Sequence, residues 1–421
     1  MKNNLLYIML IVMLLFTASC GETDLNDPKG NTAIPAKVSN PRVKNINGAS
    51  IIYYDRPDDK NLKYVKAVYT TDDGVKMDAT ASFYTDSLLI EGFGTAGNYT
   101  VNLFSVSTGE TYSEPVPVTI SPLEPPYLTA IDSLELFPTF AGIRVATNNI
   151  TKAKLSIGTY KKNAAGEWEE IGMHYTTLDN IGFSVRGQDT IEAEYGARVR
   201  DRWGHWSEMK TLKATPWYEM QCNRNLFKEV QNLNTDTKEQ HTWSGSATAF
   251  TRLWDDRIML SAAQCFHTKP SGTSLPQHFT MDLGKAYTLS RIKIWPRGSI
   301  TDMGASGNDY QHIWTGGHPK QIRLYGSTEL EIIDSLKNDI NDPSWVFLGE
   351  YYLTRADGSL DPLVGSSIGT ADDKAKVMAG FEFEFPADAP KLRFFRFQTV
   401  DTYGGGSAVM LDELQFFGSD R

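Results

Sequence analysis

Residues 276–298 read PQHFTMDLGKAYTLSRIKIWPRG, and the pattern of this stretch decides the fold of the C-terminal half. Phe279, Met281 and Leu283 alternate onto one face of a strand, and Ile292 and Ile294 onto one face of a second. Gly284 ends the first run, and the Gly-Lys-Ala-Tyr segment at 284–287 is expected to let the chain turn back. Opposite Ile292 and Ile294 the second run carries Arg291, Lys293 and Trp295. Pro296 has no N–H for a central ladder, so Trp295 and Arg297 are expected at a strand end, leaning into a loop.

An Asp-Leu-Gly strand, a second strand and an aromatic–Pro–Arg exit resemble the discoidin or coagulation-factor type C family. That family has a galactose-binding-like jelly-roll β-sandwich. Outward from the stretch, Leu253-Trp254-Asp255-Asp256 resembles the family's Leu-Phe-Asp-Gly turn, with Asp256 where Gly is usual. PKQIRLYGS at 319–327 resembles its next core strand, and residues 393–397 and 411–418 its last two. The resemblance covers about 200 residues, from near Cys222 to the end. It implies ligand binding in loops at one end of the sandwich. Those loops bring His241 and Trp243, His267, then Trp295, Arg297, Tyr310 and Trp314, and lastly Tyr403. Sugars bind by stacking on aromatics while planar polar groups take paired hydroxyls, so Arg297 and Trp314 head the candidates. The alternative for Trp243 and Trp314 is that they plug the ends of the sandwich. The resemblance also implies a structural Ca²⁺ held by Asp255 or Asp256 and Glu413. There Asp256 either adds a ligand or spoils the turn.

The rest of the chain is read against that domain. Its 421 residues make room for several domains, and 41% hydrophobic content provides for their cores. A formal net charge of -10 argues against nucleic acid, which requires a basic face. Residues 1–20 read as a signal peptide: Lys2, then an unbroken apolar run over 5–16, too short for a stable span. Thr17-Ala18-Ser19-Cys20 resembles a bacterial lipobox, which implies a lipid on Cys20. The polar tether at 21–35, with Glu22 and Asp24, resembles the surface-export signal of Bacteroidetes lipoproteins. Cys222 and Cys265 are left as either a disulfide or two buried thiols.

Residues 36–125 read as short strands divided by turns, among them the hairpin signal Asp72-Asp73-Gly74. With no helical period, they resemble a seven-strand fibronectin type III or immunoglobulin-like sandwich. After a stiff Pro-rich linker at 121–126 the pattern repeats over 126–218. The strand at 142–146 matches 50–54, and the run from Tyr195 to Ser207-Glu208 echoes Tyr99 to Ser113-Glu114. Trp203 and Trp206 flank Gly204-His205 on an expected hairpin, one of them expected to pack into the core. Arg198, Arg200 and Arg202 alternate along one strand and read as a charge-paired, solvated face.

The expected fold class is therefore all-β: two tandem sandwiches followed by a jelly roll over 219–421. No hydrolase, metalloprotease, phosphate-loop or dinucleotide motif occurs, and no catalytic barrel has room. The sequence reads as a non-catalytic, lipid-anchored outer-membrane protein of the cell surface. It is expected to bind glycan through its C-terminal domain, as an accessory of a polysaccharide-uptake transporter. The alternative is a protein-interaction component of an outer-membrane complex with no sugar contact.

Overall fold

Seven strands build the first sandwich: β1 (Ser39–Ile46), β2 (Ala49–Asp55), β3 (Leu62–Thr70), β4 (Lys76–Ser82), β5 (Ser87–Glu91), β6 (Tyr99–Ser107) and β7 (Val116–Ile120). In the computed structural model they form a three-stranded sheet β1-β2-β5 facing a four-stranded sheet β4-β3-β6-β7. The described residues are 30–230, 242–243, 246–247, 249–258, 264–268, 275–297, 313–314, 316–328, 345–361, 369–406 and 408–421. Alternation supplies the core: Ile52 and Tyr54 from β2, Val65 and Ala67 from β3, and Val101 and Leu103 from β6 are all buried. Each large apolar side chain enclosed in this way contributes roughly 1.5–3 kcal/mol.

The second sandwich repeats the order with β8 (Glu135–Thr139), β9 (Gly142–Asn148), β10 (Leu155–Lys162), β11 (Trp168–Thr176), β12 (Asn180–Val185), β13 (Ala193–Arg200) and β14 (Lys210–Ala214). Its sheets are β12-β9-β8 and β11-β10-β13-β14, so β9 corresponds to β2 and β13 to β6, as the matched runs imply. Between the sandwiches Pro126 opens a short helix, Pro126–Asp132, whose Tyr127, Ala130 and Ile131 are buried. Two local expectations are corrected here. Neither Trp203, 41% exposed, nor the half-buried Trp206 enters the core. The Arg198 and Arg200 guanidiniums stack on Trp206, 4.2 and 5.1 Å from the ring centroid, while Arg202 pairs with Glu91, so among the described residues that face is charge-paired at Arg202 alone and held by cation–π contacts at the other two.

The chain divides into two compact units. One comprises residues up to 137 with 144–185 and 193–213; the other comprises 138–143, 186–192 and 214–421. The second unit is built on the strand Gln277–Pro296, which corrects the expected turn at Gly284. The chain does not reverse there. One 20-residue strand runs on, pairing first with Leu392–Thr402 and then with Met410–Ser419 and Phe381–Glu384. Its register breaks between Asp282 and Tyr287, where it passes from one sheet partner to the other. Gly284 makes that passage possible. Its φ is +76°, and a Cβ would lie 2.5 Å from the Leu226 backbone and Cβ atoms. Strands Pro319–Ser327 and Val346–Tyr352 complete one side. Phe279, Met281, Leu283, Ile292 and Ile294 all enter a single core with Phe395 and Phe397, so the alternating positions were read correctly. Cys222 and Cys265 are buried in this unit and are not disulfide-bonded. Burial raises the Cys222 thiol pKa far above its ordinary value, which keeps that thiol unreactive.

Candidate ligand-binding site

Antiparallel pairing gathers one set of strand ends. The end of Gln277–Pro296 meets the start of Met410–Ser419, with Pro296 opposite Leu411. The start of Pro319–Ser327 meets the end of Leu392–Thr402, with Pro319 opposite Thr402. His267 lies opposite Met410. Backbone bonds close the end: Tyr403 N donates to His318 O (2.9 Å), Met410 N to Gly317 O (2.9 Å) and Gly404 N to Gly316 O (3.0 Å). Gly404 permits this approach, since a Cβ there would lie 2.4 Å from Gly316 N.

Of the expected ligand residues, this end brings together His267, Arg297, Trp314 and Tyr403. Arg297 is only 8% exposed, with Nη1 3.5 Å from Met410 Sδ. Trp314 is fully buried, and its ring centroid lies 4.7 Å from His318 and 5.1 Å from Tyr403. Tyr403 is buried as well and donates its hydroxyl to Leu353 O at 2.7 Å. The open stacking platform expected of Trp314 and Tyr403 is thus corrected: both rings close the end of the core, Trp314 as the plug alternative had it. Their apolar area is worth more against Phe381 and each other than against water. Trp295 turns elsewhere, donating Nε1–H to Met378 O (3.0 Å) beside the helix Ala371–Ala379. The Trp243 backbone pairs with Ser246, while Tyr310, like Cys20, lies outside the described residues.

Sequence reasoning missed His318. It is 1% exposed, and burial lowers its pKa to about 3, the bond to Pro319 O opposing and the nearby Arg297 charge adding a smaller push downward. The ring is therefore neutral, with Nδ1 carrying the proton toward Pro319 O at 3.3 Å. Among the described residues that leaves Nε2 as a buried acceptor without a partner, on a ring 4.7 Å from that of Trp314, whose Nε1–H is a buried donor without a partner. A hydroxyl is both acceptor and donor, and it suits that combination. The sequence signal was position: His318 immediately precedes a core strand at the end where Arg297 leaves one.

The expected calcium residues do not converge on a common point suited to the ion. Asp255 Oδ2 accepts from Arg252 (2.9 Å) and from Arg257 Nε and Nη2 (3.0 and 2.9 Å), while Asp256 pairs with Arg224. Guanidinium groups hold the carboxylates that a cation would need, and buried Glu413 accepts from the backbone of the same turn, from Asp256 N at 3.1 Å and from Asp255. This donor set does not fit Ca²⁺, which takes six to eight oxygens. Asp256 does not spoil the turn. It adopts φ +62°, the left-handed conformation in which Gly is usual and Asp is tolerated.

Three family models match the chain. Each is described as a domain of unknown function: DUF4959 over residues 35–122, DUF5126 over 123–225 and DUF5000 over 254–418. No curated protein matches it. Among solved structures the chain is similar to a SusE-like protein, at 27% identity over 70% of this chain and 99% of that one, with a TM-score of 0.41. It is also similar to an F5/8 type C domain from Bacteroides fragilis (9% identity, 48% of this chain and 98% of that one, TM-score 0.27). A third likeness is to a GH31 CBM32-2 bound to GalNAc (14% identity, 45% and 94%, TM-score 0.26). At TM-scores this low none of them bears on function, which rests on the site itself.

Proposed function

We propose that this chain is a non-catalytic glycan-binding lipoprotein of the outer membrane surface, and that its C-terminal sandwich takes the sugar at the end formed by Arg297, Trp314 and His318. The supporting observation is the buried, unpartnered pair of Trp314 Nε1–H and His318 Nε2 beside a guanidinium at a loop-bearing strand end. Because Trp314 and His318 close the end, it must open before a pyranose hydroxyl satisfies the donor and the acceptor; Arg297 then adds a charge-assisted bond to a second hydroxyl or a sugar carboxylate. The other two sandwiches act as spacers, and a transporter for polysaccharide uptake is the partner.

Glycan arrays and affinity gels with the mature chain test this. Trp314→Phe keeps an apolar ring but deletes the N–H, and Arg297→Ala removes the fork. Each is expected to weaken retention by about 5- to 30-fold, the range for one lost bond in a buried polar site. Equal retention in both folded variants moves the site elsewhere. Capture of a membrane protein without retention on any glycan favours the assembly role instead.

The anchor is tested separately. No described helix is long and apolar enough to cross a membrane. Cys20→Ala is therefore expected to release the protein from the membrane fraction. A variant that stays there after a salt wash contradicts the lipid anchor.

A further inference from the structure

Two turns that the glycan reading leaves unused meet within the first unit. Asp72 and Asp73 lie on the turn between β3 and β4, and His205 lies on the hairpin between β13 and β14. One ligand-type atom from each lies within 4.8 Å of the others, the one such trio among the described residues. Gly94 leaves room for their approach: a Cβ there would lie 2.9 Å from His205 Cδ2 and 3.1 Å from Asp72 Oδ2. His205 Nδ1 is 2.7 Å from Asp201 Oδ2, and Asp201 Oδ1 accepts the His205 and Trp203 backbone N–H groups at 2.9 and 2.8 Å. The ring is thereby oriented with Nε2 toward Asp73 Oδ2, 3.9 Å away.

The charge here is not balanced by the protein. Three carboxylates surround one imidazole, and no lysine or arginine among the described residues forms an ion pair with Asp72, Asp73 or Asp201. A histidine fixed through one nitrogen by a carboxylate, with its other nitrogen facing two more, has the arrangement of a metal ligand and its supporting group. We propose that Asp72, Asp73 and His205 form a zinc-class divalent metal site joining the two N-terminal sandwiches, with Asp201 positioning the imidazole. One nitrogen and two carboxylate oxygens suit zinc better than Ca²⁺, which prefers oxygen alone. Bonds of about 2.0–2.1 Å place neighbouring ligands about 3.3 Å apart in a tetrahedron. Asp72 and Asp73 are exposed on a turn, so a small side-chain rotation closes the 3.9 Å gap. The solvent side leaves the fourth position to water.

The test uses the mature chain, stripped with chelator and titrated with zinc alone, by calorimetry and thermal unfolding. One equivalent is expected to bind and to raise the first unit's melting temperature. Asp73→Asn and His205→Gln are expected to abolish that equivalent. Asp201→Asn is expected to weaken it roughly 10- to 100-fold without removing it, as loss of a supporting group does. His174→Gln, on a ring stacked against Phe183, serves as control and should leave binding unchanged. Matching melting temperatures in chelator confirm that the variants fold. No zinc bound, or an equivalent that survives in folded Asp73→Asn or His205→Gln, overturns the proposal.

Discussion

Glu219→Ala is expected to destabilise the C-terminal unit by about 3 kcal/mol, the lower end of the range for breaking a buried ion pair. The Glu219 side chain is 6% exposed. Its Oε1 accepts from Arg186 Nη1 (3.1 Å), Ser290 Oγ (2.6 Å) and Arg291 Nε (3.2 Å), and its Oε2 from Arg291 Nη2 (2.9 Å). Alanine removes every one of these bonds and leaves two largely buried guanidiniums facing each other. Glu384 and Glu382 retain one bond to each, which keeps the cost from the upper end. For a unit of this size the loss corresponds to a melting temperature lower by roughly 6–12 °C. Glu219→Gln, which preserves shape and an acceptor, should fall between. Denaturant unfolding followed through this unit's own transition decides it. A change under about 0.5 kcal/mol would mean that the network is no stronger than a surface pair.

The second large effect is on pH. Burial raises the Glu413 carboxyl from its ordinary value to about 8, the bond from Asp256 N–H opposing and the Asp256 and Asp255 charges adding to the rise. The folded state therefore holds a proton that the unfolded chain releases near pH 4.5. Stability from this group is fully present below pH 4.5 and is lost progressively as pH rises through about 8. At about 1.4 kcal/mol per pK unit the loss is on the order of 3–5 kcal/mol. Glu413→Gln should flatten the decline, being nearly neutral at pH 5 and stabilising at pH 9. Parallel wild-type and variant melting curves across that range would show that Glu413 is ionised in the fold at neutral pH.

Much of the fold was legible because its signals are local. Alternation at 279–283 and 292–294 placed the core, turn residues marked the hairpins, and the repeat from 50–54 to 142–146 announced a second copy. The residues of one strand end were legible too: Pro296 put Arg297 at an exit because a missing N–H is a local property. Partnership was not legible, because it depends on residues far apart in the chain. Nothing in residues 284–287 says whether the chain turns back or runs on as one strand; the separate partners at 392–402 and 410–419 decide that. The Asp256 carboxylate read as a cation ligand until the fold brought Arg224 beside it, whereas Arg252 and Arg257, which hold Asp255, are its neighbours in sequence. Trp314 read as a sugar platform until Tyr403, His318 and Phe381 enclosed it. Local stereochemistry belongs to the sequence alone. Charge compensation and burial are sums over the whole fold, and only the tertiary structure evaluates them.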